Sequence, residues 1–161
     1  MLIGAVAIIE RDHDDGTEVL IQTRNKPAEN HKCLELPGGH VEEFESLLDT
    51  LKREVREETG LEITQVEGAE DKVDAGGEKT SVECLRPFSV YQTTKGHVDI
   101  MGVAFRCKAE GTLLSEGDGS ENPQWVPVDR LAAWIAETPE DFCWVSRAGL
   151  IFYLRHVGAL K

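Results

Sequence analysis

The most constraining feature of this chain is a helical pattern whose apolar face is interrupted by glutamates. Residues 39–61 read GHVEEFESLLDTLKREVREETGL. On a helical wheel of about 100° per residue, one apolar stripe is formed by Leu47, Leu48, Leu51 and Val55. Glu58 falls inside this stripe, Glu54 lies at its edge and Glu57 lies farther round. Because a buried carboxylate is costly unless it is paired or binds a metal, a solvated helix face does not explain Glu54 and Glu58.

The spacing of the same glutamates predicts a metal site. Glu54, Glu57 and Glu58 stand at positions i, i+3 and i+4, which places them on one side of a helix. Carboxylate oxygens clustered on a rigid element suit a hard divalent cation, Mg²⁺ or in its place Mn²⁺. Two glycines, Gly38 and Gly39, precede the helix and lack a Cβ, so the backbone can approach a ligand closely. We therefore assign Gly38 and Gly39 to substrate binding.

The stretch resembles the Nudix box, G-x5-E-x7-R-E-U-x-E-E-x-G-U, in which U is a bulky aliphatic residue. Every fixed position is matched, by Gly39, Glu45, Arg53, Glu54, Val55, Glu57, Glu58, Gly60 and Leu61. Since each fixed letter occurs at roughly 5–8% in average proteins, a chance match at one start is on the order of 10⁻⁹. The flanks are similar to the family as well. Residues 34–39 read LELPGG, where W-E-x-P-G-G is usual, and residues 125–131 read WVPVDRL, which resembles a late family segment.

The resemblance implies a fold and a reaction. The implied fold is an α/β/α sandwich around a mixed β-sheet, with residues 1–161 forming one Nudix domain. The implied activity is metal-dependent hydrolysis of a phosphoanhydride bond in a nucleoside diphosphate linked to another moiety. Glu54, Glu57 and Glu58 would be the metal ligands, and the carbonyl of Gly39 would complete the metal's coordination.

The resemblance also suggests catalytic roles within the box. Glu54 or Glu58 is the candidate that deprotonates the attacking water. Arg53 is expected to orient a glutamate through paired hydrogen bonds, and Glu45 is expected to support the loop. On the wheel alone, a solvated charged face accounts for Glu45 together with Glu42 and Glu43.

Two further candidates lie outside the box. The family sometimes takes its base from elsewhere, and Glu121, in a Gly-rich loop predicted at residues 111–123, is the candidate in this chain. An exposed loop acid is an equal alternative for Glu121. Arg24, at the end of a predicted strand, is a candidate phosphate contact, although an ordinary solvated charge is the commoner role for such an arginine.

The sequence narrows the substrate by elimination. ADP-ribose-type relatives usually carry a proline downstream of the box, where this chain has Gly76, Gly77 and Glu78. A (deoxy)nucleoside triphosphate, as in MutT-like enzymes, is therefore favoured, with ADP-ribose or a nucleotide sugar as the alternative. A nucleotide-binding sensor without catalysis is a third hypothesis, which the intact set of box glutamates disfavours.

Charge and cysteine content limit the partners and the compartment. The net charge is −13, from 17 basic and 30 acidic residues, and such a surface repels polynucleotide phosphates. No apolar run approaches the ~20 residues of a membrane span. The four cysteines, Cys33, Cys84, Cys107 and Cys143, are scattered, which predicts reduced and mostly buried thiols in a cytoplasmic protein. We expect a small-molecule substrate and a homodimer. We expect no nucleic-acid polymer or membrane as a partner.

Local patterns predict the remaining elements. The predicted strands are residues 2–9, 18–24, 61–66, 82–93 and 97–107, the last two forming a hairpin. The predicted helices begin near Ser46, where Asp49 completes a capping box, and cover residues 129–136 and 140–155. Gly60 is the predicted stop signal of the first helix.

Overall fold

A computed structural model describes residues 1–26, 28 and 31–161. The strands are β1 (Leu2–His13), β2 (Gly16–Arg24), β3 (Leu34–Glu35), β4 (Gly38–His40), β5 (Glu62–Val66), β6 (Val73–Gly76), β7 (Ser81–Cys84), β8 (Ser89–Gln92), β9 (Ile100–Glu110), β10 (Glu116–Gly117) and β11 (Ser120–Pro127). The helices are α1 (Leu47–Thr59), α2 (Val128–Glu137) and α3 (Trp144–His156), with single 3₁₀ turns at Ala69–Asp71 and Pro139–Asp141. Among the described residues, no helix is long and apolar enough to cross a membrane.

The main sheet is mixed. Its strand order is β10-β11-β2-β1-β9-β5, with β3 added to β2, β4 to β1 and β8 to β9. Strands β1 and β9 run parallel, from the pair Leu2 and Ile100 to the pair Ile9 and Cys107. The neighbouring pairs β1–β2, β2–β11 and β5–β9 are antiparallel. The expectation of a mixed sheet is confirmed.

Helices cover both faces of the sheet because β1 alternates its buried side chains. One hydrophobic cluster joins one face of β1 to α1 and contains Ala5, Ala7, Ile9, Leu51, Val55 and Phe105. A second cluster joins the other face to α2 and α3 and contains Val6, Ile8, Leu131, Ile135, Leu150 and Tyr153. Since successive residues of a strand point to opposite faces, one continuous apolar run supplies both cores. The predicted α/β/α layering is confirmed.

The predicted strand at residues 82–93 is divided in two. Ser81–Cys84 pairs with Val73–Gly76 in a separate two-stranded ribbon, whereas Ser89–Gln92 pairs with β9 in the main sheet. Pro87 lies between the two strands. Proline cannot donate a ladder hydrogen bond, so a central strand does not continue through it. The predicted hairpin therefore consists of β8 and β9 alone.

The chain after β9 is more ordered than the predicted loop at residues 111–123. Glu116–Gly117 pairs with the start of β11, and β11 itself begins at Ser120. The predicted helix at residues 140–155 begins later, at Trp144, because Pro139 starts a separate 3₁₀ turn before it. The predicted helix at residues 129–136 is confirmed within one residue at each end, as Val128–Glu137.

A disulfide links the sheet to the last helix. Cys33 precedes β3 and Cys143 precedes α3, their Cα atoms lie 5.2 Å apart, and the two sulfurs are bonded. The backbones meet here as well, because the N–H of Cys143 donates to the carbonyl of Leu34 at 2.9 Å. The prediction of four reduced, mostly buried thiols was wrong, and Cys84 is exposed. The two bonded cysteines are 110 residues apart, so only tertiary packing brings them together.

We expect reduction of this disulfide to lower the free energy of unfolding by about 2–4 kcal/mol, because the bond restricts a long loop in the unfolded chain. The measurement is urea unfolding with and without a phosphine reductant. Cys33→Ser should unfold like the reduced wild type under both conditions. Cys84→Ser, which removes an exposed free thiol, is the matched control. Equal midpoints for oxidised and reduced wild type would contradict the prediction.

Candidate functional site

The ends of α1 are fixed by local hydrogen bonds. The hydroxyl of Ser46 accepts from the N–H of Asp49 at 3.1 Å and donates to its carboxylate at 2.8 Å. At the other end, Gly60 adopts a left-handed conformation with φ of 77°, and its N–H donates to the carbonyl of Arg56. The predicted start and stop signals are confirmed. They hold the helix at one length and thereby set which residues face the sheet.

The glutamates of α1 are buried to the degrees that the helical wheel indicates. Glu58 is 4% exposed, the side chain of Glu54 is 16% exposed and that of Glu57 is 44% exposed. Leu51 and Val55 on the same face are fully buried. The structure therefore places one carboxylate inside the helix–sheet interface, one at its edge and one toward solvent.

Two neutral groups hold the buried carboxylate of Glu58. Its Oε2 accepts from the backbone N–H of Gly38 at 2.9 Å and from Nε2 of Gln22 at 2.8 Å. Burial raises the pKa of Glu58 to about 8, the Gly38 N–H opposes this, and the nearby Glu35 adds to it. A cation beside this carboxylate would favour its ionised form, which burial disfavours.

The two glycines before α1 are required by close approaches. Gly38 has φ of 150°, and a Cβ on it would lie 2.3 Å from the carbonyl oxygen of Ala5. A Cβ on Gly39 would lie 2.3 Å from the carboxylate of Glu54. Both glycines belong to β4, which pairs with β1. The backbone of Gly39 therefore lies against the carboxylate of Glu54, and the N–H of Gly38 donates to Glu58. The approach of this backbone to a ligand stays a prediction.

Arg53 joins the carboxylates at the edge of the site. Its Nε and Nη2 contact the two oxygens of Glu45 at 2.8 and 2.9 Å, and its Nη1 contacts Glu54 at 2.8 Å and Glu57 at 3.4 Å. Its Nη2 also donates to the carbonyl of His40 at 3.1 Å. Arg53 thus contacts three glutamates, and its role in orienting them stays a prediction. Glu45 accepts from the N–H of Glu42 at 3.1 Å. The prediction that Glu45 lies on a solvated face was wrong, because its side chain is only 15% exposed.

A second buried carboxylate lies beside Glu58. Glu35 on β3 is 8% exposed and contacts Nη1 of Arg24 at 3.3 Å. It also accepts from Nε2 of Gln22 at 3.5 Å. Burial raises the pKa of Glu35, and Arg24 opposes this effect. Arg24, the predicted phosphate contact, therefore forms an ion pair at the end of β2, next to the glutamates of α1.

Glu121 is on a strand and has two partners. It belongs to β11 opposite Thr23, next to an irregularity between Glu121 and Gln124, so its assignment to a Gly-rich loop was wrong. Its Oε2 accepts from Nδ2 of Asn25 at 2.8 Å, and its Oε1 forms an ion pair with Lys32. The loop prediction failed because strand β2 supplies a pairing edge that is distant in sequence.

The last turn of α1 is hydrogen-bonded to the segment that precedes β11 and to the first residue of β11. The hydroxyl of Ser120 donates to the carbonyl of Glu58 at 2.9 Å, the N–H of Asp118 to Glu57 at 3.1 Å and the N–H of Leu114 to Thr59 at 2.9 Å. Sequence analysis missed these contacts, and it missed Gln22 too. A signal for Gln22 existed, since it continues the buried run Val19–Ile21 where another apolar residue is expected.

The donor set suits a hard cation. Glu54, Glu57, Glu58 and the carbonyl of Gly39 offer only oxygens, and Glu58 is buried among neutral donors. Among residues 1–26, 28 and 31–161, no three His, Cys, Asp or Glu side chains are gathered closely enough to hold a metal ion as they stand. In this arrangement Arg53 spans Glu54 and Glu57. The residues fit the ligand chemistry of Mg²⁺.

Comparison with known proteins gives one consistent picture. The model of the NUDIX domain matches residues 1–146. A NUDIX hydrolase from Nitrosomonas europaea has a TM-score of 0.63 and 19% identity, over 99% of this chain and 91% of that one. A MutT NUDIX hydrolase from Burkholderia pseudomallei has a TM-score of 0.61 and 21% identity, over 92% and 95%. A MutT protein from Methanosarcina mazei Go1 has a TM-score of 0.61 and 19% identity, over 98% and 95%. No curated protein matches the chain significantly.

We expect Glu45→Gln to remove an acid-sensitive part of the stability. Hydrogen bonds from Arg53 lower the pKa of Glu45 to about 2 from its ordinary 4.5. The ionised carboxylate therefore stabilises the folded state fully above about pH 4.5, and this contribution is lost as the pH falls toward 2. For a partly exposed pair we expect wild type to exceed the variant by about 1–2 kcal/mol at pH 7.

The measurement is urea unfolding of both proteins between pH 7 and the lowest pH at which they fold. The difference in unfolding free energy should shrink through this window. Glu43→Gln, which changes an exposed glutamate two residues earlier, should show no such difference. A difference between wild type and Glu45→Gln that does not change with pH would contradict the prediction.

Proposed function

The chain belongs to the Nudix family and is a hydrolase, and on that premise we propose that it cuts a phosphoanhydride bond of (deoxy)nucleoside triphosphates with the help of Mg²⁺. The family implies hydrolysis of a nucleoside diphosphate linked to another moiety. The observation that carries the proposal is the burial of Glu58 among neutral donors, beside Glu54 on the same helix face. A carboxylate buried there lowers the stability of the fold, and a bound cation would offset that cost.

The proposed metal ligands are Glu54, Glu57 and Glu58 with the carbonyl of Gly39. A bound divalent cation supplies charge neutralisation at the phosphates and lowers the pKa of water. Arg53 orients Glu54 through the contact at 2.8 Å. Mn²⁺ is expected to substitute for Mg²⁺, because it accepts the same oxygen ligands.

Other residues position the reactants. Glu54 or Glu58 accepts the proton of the attacking water, with Glu54 at the exposed edge of the site. Gly38 and Gly39 let the phosphates approach the backbone, and Arg24 is a proposed phosphate contact beside Glu35. Glu121 is the alternative base, but both oxygens of its carboxylate are already engaged, one by Asn25 and the other by Lys32.

The choice of substrate rests on the sequence. The proline downstream of the box that marks ADP-ribose-type relatives is replaced by Gly76, Gly77 and Glu78, which favours a MutT-like triphosphatase. ADP-ribose or a nucleotide sugar is the second candidate. A non-catalytic nucleotide sensor is disfavoured because every glutamate of the box is present.

We also propose that residues 1–161 form one domain, that the protein acts on a small nucleotide without a nucleic-acid or membrane partner, and that it forms a homodimer. Light scattering that shows a monomer at working concentration would contradict the proposed dimer.

A cytoplasmic location is the remaining proposal. The Cys33–Cys143 bond speaks against it, since stable disulfides are rare in reducing compartments.

A substrate panel tests the activity directly. The panel contains nucleoside and deoxynucleoside triphosphates, 8-oxo-dGTP, ADP-ribose, nucleotide sugars and dinucleoside polyphosphates, each with Mg²⁺, Mn²⁺ or EDTA. We expect triphosphates to be turned over fastest and EDTA to abolish turnover. Turnover that survives exhaustive EDTA treatment would contradict the metal-dependent mechanism.

We expect Glu57→Gln and Glu58→Gln to lower kcat by a factor of about 10² or more.

We expect Glu54→Gln to lower kcat more than Glu121→Gln at saturating Mg²⁺. Glu54 lies on a helix beside Gly39, whereas Glu121 is engaged by Lys32 and Asn25. The measurement is kcat for the best substrate of the panel, with Glu43→Gln as the control for loss of an exposed charge. If Glu121→Gln is the more damaged variant, the base lies outside the box.

A further inference from the structure

Gln22 is a polar residue in a place that an apolar one would ordinarily fill. It follows Val19, Leu20 and Ile21 on β2, all fully buried, and is itself fully buried. Strand alternation puts Gln22 on the same face as Leu20, which packs in the cluster with α1. A buried amide is unfavourable unless its donors and acceptors are satisfied. Gln22 satisfies this condition only in part.

The side chain of Gln22 donates hydrogen bonds but accepts none in the described part of the chain. Its Nε2 donates to Oε2 of Glu58 at 2.8 Å and to Oε1 of Glu35 at 3.5 Å. Its Oε1 is buried and has no hydrogen-bond partner in the described part of the chain. A buried acceptor without a partner costs stability. The side chain therefore contacts the two carboxylates and leaves its own oxygen without a hydrogen bond.

The contact constrains one oxygen of Glu58 and leaves the other for a ligand. Gln22 Nε2 and the N–H of Gly38 both donate to Oε2, at 2.8 and 2.9 Å. Within residues 1–26, 28 and 31–161, no hydrogen bond is found to Oε1 of Glu58. Two donors on one carboxylate oxygen fix the plane of the group, and they fix it from β2 and β4 at once.

From this geometry we propose that Gln22 is a positioning residue that aims Oε1 of Glu58 at the metal ion. The inference rests on the proposed metal-dependent hydrolysis. Gln22 acts through Glu58, by a neutral donor that adds no charge to a site crowded with carboxylates. Partners that orient a metal ligand commonly change metal affinity or activity by about 10–100-fold when they are removed.

The decisive variant is Gln22→Met, which keeps the length of the side chain and removes both the donor and the unpaired acceptor. We expect its Kd for Mn²⁺, measured by calorimetry without any nucleotide, to rise about 10–100-fold. Gln124→Met is the matched control, because it makes the same change on the neighbouring strand, opposite Ile21. The control should bind Mn²⁺ within twofold of wild type.

A stability readout separates positioning from packing. With Mn²⁺ present, wild type and Gln124→Met should gain thermal stability by the amount that their Kd predicts, and Gln22→Met should gain less. A role in packing alone would lower the metal-free stability of Gln22→Met and leave its Kd for Mn²⁺ unchanged. A folded Gln22→Met that binds Mn²⁺ within twofold of wild type overturns the proposal.

A measurement on wild type holds even if the variant does not fold. The side-chain amide resonances of Gln22 and Gln124 are followed by NMR during a Mg²⁺ titration. We expect the Gln22 amide to be protected from solvent exchange and to shift on metal binding, and the Gln124 amide to stay in place. An unmoved Gln22 amide at saturating Mg²⁺ overturns the proposal.

Failure of the proposed function gives a different result. If wild type binds neither Mn²⁺ nor Mg²⁺, the metal-dependent function is wrong and the role of Gln22 is wrong with it. If wild type binds metal and Gln22→Met binds it equally well, the metal site stands and only the positioning role of Gln22 is overturned.

Discussion

A carboxylate enclosed between a helix and a sheet, with neutral donors for partners, sets the conditions that the surrounding structure meets. Glu58 can be buried only if α1 has one rotation and one length, which the bonds at Ser46 and Gly60 provide. It also needs donors from the sheet, and these come from Gly38 and Gln22. Even the backbone carbonyl of Glu58 is engaged, by Ser120. Burial of one charged group thus connects three strands to one helix turn.

The buried carboxylates carry an electrostatic cost that a bound cation would offset. Burial raises the pKa of Glu58 and of Glu35, so the interior resists a second negative charge. Arg53 and Arg24 compensate at the edges, where each pairs with a carboxylate. A divalent ion would supply the missing positive charge at the centre, and its binding free energy would stabilise the folded chain. The same excess of buried negative charge that lowers stability would therefore favour the binding of a divalent cation.

The parts that could be predicted from the sequence are those determined by neighbours along the chain. The caps of α1 follow from Ser46 and Gly60, and the graded burial of the box glutamates follows from helical periodicity. The family resemblance predicted the layers. Three features depend on contacts between distant residues and were missed. Glu121 is ordered because β11 finds the edge of β2. Gln22 contacts Glu58 because α1 packs over the strand that carries Gln22. Cys33 and Cys143 are 110 residues apart and are brought together by tertiary packing.

That last contact changes the connectivity of the molecule. The bond from Cys33 to Cys143 closes residues 33–143 into a covalent ring that contains α1 and the exposed ribbon of β6 and β7. The tip of this ribbon, at Gly77, has open space around it, so a protease can reach the backbone there. A single cut at that tip would open the ring without releasing a fragment. In denaturant, the half that carries the box glutamates would stay covalently joined to the half that carries β9 and β11 unless a reductant is added.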